Sequence, residues 1–164
     1  ALGPTADESF HRETDRVVRR RTRKRPLEVG ADKIARAAHR AVRLLDELRD
    51  ATGRPLPLAW SSWNGGAVEV IEVYPALNLL ARGISETGYK GKRPEHFARR
   101  SEIVRALSVE IEVGDCVDAM VESDDALDAV VCTVAASDFI QGRAEAPSNA
   151  ELAKREGWIW FPAT

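Results

Sequence analysis

Residues 123–142, SDDALDAVVCTVAASDFIQG, constrain this chain more than any other stretch. Their apolar residues recur at helical spacing, and two acids stand near the start. On a helix, side chains three and four apart share a face. Asp125 then aligns with Ala129, Cys132 and Ala136, and Asp128 with Val131, Cys132, Ala135 and Phe139. Both carboxylates are expected at the end of a stripe that packs into a core. A buried carboxylate is costly unless it is paired or holds a metal. The fold must therefore place a partner opposite this helix.

The rest of the chain offers candidates. It has 164 residues, the size of one ordinary domain, with 44% hydrophobic residues for a core and 30% charged residues. No apolar run reaches the roughly 18 residues of a membrane span, so no membrane partner is expected. The net charge of −2 gives no bulk argument for nucleic acid, although the basic residues cluster. Cys116 and Cys132 fit no zinc spacing and no disulfide scaffold, and both are expected to act as small buried hydrophobes. A reducing, cytoplasmic setting is the default. The chain begins Ala-Leu-Gly-Pro without an initiator Met, which suggests a piece of something longer.

Read in order, residues 5–21 form a helix capped by Thr5 or Asp7, running into the basic stretch 19–25. That stretch reads as a solvated helix end before it reads as a phosphate-contacting arm. Residues 31–52 form an amphipathic helix with Ile34, Ala38, Ala41, Val42, Leu45 and Leu48 as its stripe, ended by Gly53. His39 lacks a second ligand at metal spacing. Residues 67–74, AVEVIEVY, give the clearest strand, expected at the centre of a covered sheet. Glu72 falls at its C-terminal end, where open α/β sheets place their sites. A salt bridge to an arginine accounts for Glu72 equally well. Pro75 opens a short helix to residue 81, and residues 83–93 form a loop containing YKGKR. Pro94 opens another helix to about residue 107, with Phe97, Ile103, Val104 and Leu107 as core candidates. Residues 109–113 fit a strand or part of a helix. A last short helix starts at Pro147 or Ser148, and residues 158–161 form a final strand after Gly157. Trp60, Trp63, Trp158 and Trp160 flank the predicted strands and suit core packing better than base stacking.

Glu72, Asp125 and Asp128 thus stand out as three carboxylates. Hard oxygen ligands of this kind suit Mg²⁺ or Mn²⁺, and such ions can activate water for phosphodiester cleavage. Asp124 beside Ser123 is explained by the helix dipole alone. Phosphate-loop, dinucleotide-loop and nucleophile-elbow motifs are missing from the sequence.

IEVYPA (71–76), YKGKR (89–93), DALDAVVCTVAA (125–136) and EGWIWFP (156–162), with RETDRVVRR (12–20), together resemble the predicted RNase H-like nuclease family. The D-x-x-D-A of the long helix is also similar to the Holliday-junction resolvase branch of that superfamily. The resemblance covers nearly the whole chain. It implies one α/β domain over residues 1–164, a three-layer RNase H-like sheet with flanking helices, here lacking its first three strands. It implies a metal-dependent hydrolase, a nuclease acting on DNA or RNA with Mg²⁺ or Mn²⁺. Glu72, Asp125 and Asp128 would be catalytic metal ligands. Lys90, Lys92, Arg93, Arg12 and Arg16 would contact substrate. A first-strand aspartate would have to come from a missing N-terminal segment or a second chain. The alternatives are a non-catalytic module that binds nucleic acid or protein, its carboxylates paired with arginines such as Arg12 or Arg16, and a small-nucleotide phosphatase.

Overall fold

Proline, asparagine, serine and glycine set most of the helix ends. The computed structural model describes residues 12–22, 32–66 and 68–163. Thr5, Asp7, residues 23–25 of the basic run, and Ala67 lie outside the described residues. Seven helices and one two-stranded sheet are present among them: α1 (Glu13–Thr22), α2 (Asp32–Thr52), β1 (Glu72–Val73), α3 (Pro75–Ala81), α4 (Pro94–Leu107), α5 (Val117–Glu122), α6 (Asp124–Ile140), α7 (Ala150–Glu156) and β2 (Ile159–Trp160). The chain is a mixed α/β protein with a small parallel sheet. No helix among the described residues is long and apolar enough to cross a membrane.

The chain forms two compact units. The first comprises Ala1–Ile71 and Pro147–Trp158, the second Glu72–Ala146 and Ile159–Thr164. In the first, α1 packs against α7, and the Glu13 amide donates to Glu156 Oε2 at 2.8 Å. Val18, Ala59, Ala153 and Trp158 are buried. Asn149 caps α7 by accepting from the Leu152 amide at 3.0 Å, and Gly157 ends it at φ 84°.

In the second unit, Pro75 and Pro94 each occupy the first turn of a helix, where a missing N–H costs nothing. On α4 the buried positions are Arg100, Ile103, Val104 and Leu107, one helical face that includes an arginine. On α6 they are Leu127, Val131, Val134, Ala135, Asp138 and Phe139. These faces meet Leu79, Tyr89 and Met120 in one core. Phe139 packs edge-on against Trp160 with ring centroids 4.6 Å apart. Asn78 fastens α3 to β2 by donating its amide to the Trp160 carbonyl at 3.2 Å.

Three expectations are corrected. The strand expected over residues 67–74 shrinks to Glu72–Val73, paired in parallel with Ile159–Trp160, and Val70 makes only an isolated bridge to Leu58. Strand length is set by available partners, and β2 presents two residues. Glu72 is accordingly exposed rather than central. Residues 109–113 form neither strand nor helix but a turn leading into a 3₁₀ turn, Gly114–Cys116, opened by Gly114 at φ 57°. Cys116 is exposed and only Cys132 is partly buried.

Candidate functional site

Helix α6 begins where Ser123 accepts a hydrogen bond from the Ala126 amide at 3.3 Å. Three acids follow within its first turn and a half, and their fates differ. Asp125 shares an exposed strip with Ala129 and Thr133. The buried stripe runs under Asp128 instead, through Val131, Ala135 and Phe139.

Asp128 meets the loop of residues 89–93. Its Oδ1 accepts from the Tyr89 hydroxyl at 2.8 Å and its Oδ2 from Lys90 Nζ at 2.7 Å. The carboxylate retains 19% exposure and Lys90 retains 59%. One turn earlier, Asp124 Oδ2 accepts from the Gly91 amide at 3.1 Å. The pair that grips the loop is therefore Asp124 and Asp128, four apart, rather than Asp125 and Asp128, three apart. The Tyr89 phenol is raised well above the ordinary tyrosine value, by burial first and then by the hydrogen bond and charge of Asp128. It stays a proton donor to Asp128. The Cys132 thiol is also pushed up, by burial and then by Asp128, which favours its neutral form.

Arg100 fixes the other side of the loop. It is fully buried and donates to four carbonyls: Val121 at 2.6 Å, Tyr89 at 2.6 Å, Gly91 at 3.0 Å and Glu122 at 3.2 Å. Two of these belong to the C-terminal end of α5, where a cation also meets the negative end of the helix dipole. The guanidinium lies 4.7 Å over the Phe97 ring. Gly91 has to be glycine. Its φ is 128°, and a Cβ there would lie 2.6 Å from the His96 ring. His96 Nδ1 in turn sits 2.8 Å from the Gly88 carbonyl.

The other candidates are placed as follows. Lys92 and Arg93 are exposed on the same loop, with Glu95 3.7 Å from Arg93. Arg93 is the residue before the first turn of α4. Arg12 and Arg16 belong to the other compact unit, where Arg12 bonds Asp15 at 3.3 Å and Arg16 bonds Glu13 at 3.0 Å. A divalent ion of the Mg²⁺ kind needs several oxygens facing one point. Among the described residues no group of three or more His, Cys, Asp or Glu side chains could hold a metal ion. Glu72, Asp125 and Asp128 are not gathered, and both Asp128 oxygens already have donors. As arranged, these residues do not fit such an ion.

Sequence reasoning missed Arg100, Tyr89 and the grip of Asp124. A buried arginine at an apolar helical position was the available signal. It also missed Asp138 on α6, which accepts from Arg82 and from Arg143 at 2.7 Å, while Arg82 also pairs with Glu110. That cluster neutralises its own charges and ties the ends of three segments together.

A family model described as "Protein of unknown function (DUF429)" matches residues 2–152. The chain belongs to this family. No curated protein and no solved structure matches it. In this DUF429 chain the matched span includes the whole Asp124, Asp128 and Tyr89–Lys90–Gly91 contact.

Proposed function

We propose that this DUF429 chain is an RNase H-like domain that binds the phosphate backbone of a nucleic acid through the loop of residues 89–93, with the acids of α6 holding that loop rather than performing hydrolysis. The observation that carries this reading is the clamp. Arg100, Asp124 and Asp128 fix the loop from both sides and leave Lys92 and Arg93 exposed. A cation pair at the start of a 14-residue helix favours an anion, because the helix dipole adds to the charge. Backbone contacts of this kind give affinity without sequence readout.

Fluorescence anisotropy with single- and double-stranded DNA and RNA tests the proposal. K92A and R93A are each expected to weaken binding to all sequences alike and to reduce the salt dependence by about one unit per residue. Equal binding by the doubly substituted chain would sink it.

A second reading, metal-dependent phosphodiester hydrolysis, would require the loop to release Asp128, and two observations bear on that release. Asp125 is exposed on the same helix as Asp128, and the Lys90 that occupies Asp128 is itself largely in solvent. Cleavage of DNA or RNA that requires Mg²⁺ or Mn²⁺ and is lost in D128N would establish hydrolysis. Binding without cleavage in the same samples supports the first reading.

A further inference from the structure

Helix α2 is the longest described helix, and most of its apolar side chains between residues 36 and 52 lie in solvent. Val42, Leu44 and Leu48 are 58%, 54% and 42% exposed. Ala37, Ala41 and Ala51 are exposed with them, and only Leu45 and Arg49 between residues 36 and 52 are half-buried. Positions 37, 41, 44, 48 and 51 step by four and three, the seam of a coiled coil, with Ala41 and Leu48 at one core position and Ala37, Leu44 and Ala51 at the other. The same register continues to Ile34 in the sequence.

Size and charge along this seam select the same occupant. In an antiparallel pairing of two α2 helices, Ala41 faces Leu44 of the second copy and Ala37 faces its Leu48, with both contacts repeated by symmetry. Each layer then holds one large and one small side chain, and the helices stay evenly spaced. A parallel pairing would stack leucine on leucine and alanine on alanine, leaving gaps at the alanine layers. The flanking positions Arg40 and Glu47 are both exposed. Across the antiparallel seam Arg40 of each copy faces Glu47 of the other. In the parallel alternative they face Leu45 and Thr52. Glu47 already accepts from Arg43 of its own helix at 2.8 Å, and a carboxylate can accept from both arginines.

We propose that α2 is a self-association surface on which a second copy of this chain packs its own α2 antiparallel. This rests on the first compact unit alone and is independent of the nucleic-acid reading. Sedimentation equilibrium of the full chain, from micromolar to sub-millimolar concentration, is the test. A reversible monomer–dimer equilibrium is expected. R40E puts like charges at both flanking contacts and raises the dimer dissociation constant by about tenfold, as does E47R. The double variant R40E/E47R restores the pairs and brings the constant back. L44E, on the seam itself, abolishes the dimer. All three positions are exposed, so circular dichroism should show an unchanged fold. A monomer at every concentration overturns the proposal. So does a dimer indifferent to R40E, or one that the double charge reversal fails to restore.

Discussion

Arg100 carries more of the loop's stability than any acid near it. Removing it takes this donor from four carbonyls, one buried and three partly buried, two on the loop and two at the end of α5. Arg100→Met is expected to cost about 3 kcal/mol or more in urea unfolding. Arg100→Lys should not rescue it, because a single ammonium cannot reproduce the guanidinium fork. The ion pair of Lys90 with Asp128 is weaker, since Lys90 is largely in solvent. Lys90→Ala should cost under about 1 kcal/mol. Asp128→Ala should cost about 2 kcal/mol, because it strands the buried Tyr89 hydroxyl. A reversed order would mean that the lysine, not the phenol, holds the helix to the loop.

Tyr89 also sets a pH dependence. Its phenol is raised in the folded chain, by burial and then by Asp128, so the folded state favours the protonated form. That contribution is whole below the unfolded value of about 10 and is lost as pH rises beyond it. Tyr89→Phe has no proton to lose. The stability difference between wild type and Y89F should therefore hold steady at neutral pH and move toward the variant above about pH 10. Thermal melts across that range check it, and a difference that grows with alkalinity would contradict the assigned direction.

At the scale of elements, the helices follow from local rules and the strands do not. Pro75 and Pro94 start helices as their chemistry requires, and Gly157 ends one at positive φ. Ser123 caps α6, and Ser123→Ala should cost about 1 kcal/mol. Leu127, fully buried on the same helix, should cost about 3 kcal/mol when cut to alanine. Both are read by denaturant midpoint. The run AVEVIEVY has strong β character, yet pairing limits it to two residues in the sheet. β-propensity describes a surface that fits between neighbours, so it cannot report how many neighbours there are.

At the scale of the whole molecule, the charge balance limits how nucleic acid can be held. The net charge is −2, so the overall field does not attract phosphate. On the proposed nucleic-acid reading, binding would depend on local cations. If Lys92 and Arg93 each meet one phosphate, log Kobs against log salt should have a slope of about −2. A much steeper slope would mean that further cations take part, and the exposed arginines 19–21 of α1, in the first compact unit, are the next to substitute.

The sequence by itself determined α3, α4, α6 and α7, most of the core positions on α4 and α6, and the place of Asp128 at the end of a buried stripe. Those features depend on periodicity, proline and caps, which act within a few residues. Short motifs in a fixed order pointed to an RNase H-like nuclease family, and what is shown is membership of a family of unknown function. Only the tertiary structure decided which acids matter and what answers them. Asp124 and Asp125 are neighbours in sequence, but a 100° turn of the helix puts one against Gly91 and the other in solvent. Nor could spacing reveal that Asp128 meets Tyr89 and Lys90, 39 and 38 residues away. Those contacts depend on how α4 and Arg100 shape the loop, and long-range packing of this kind leaves no local pattern to read.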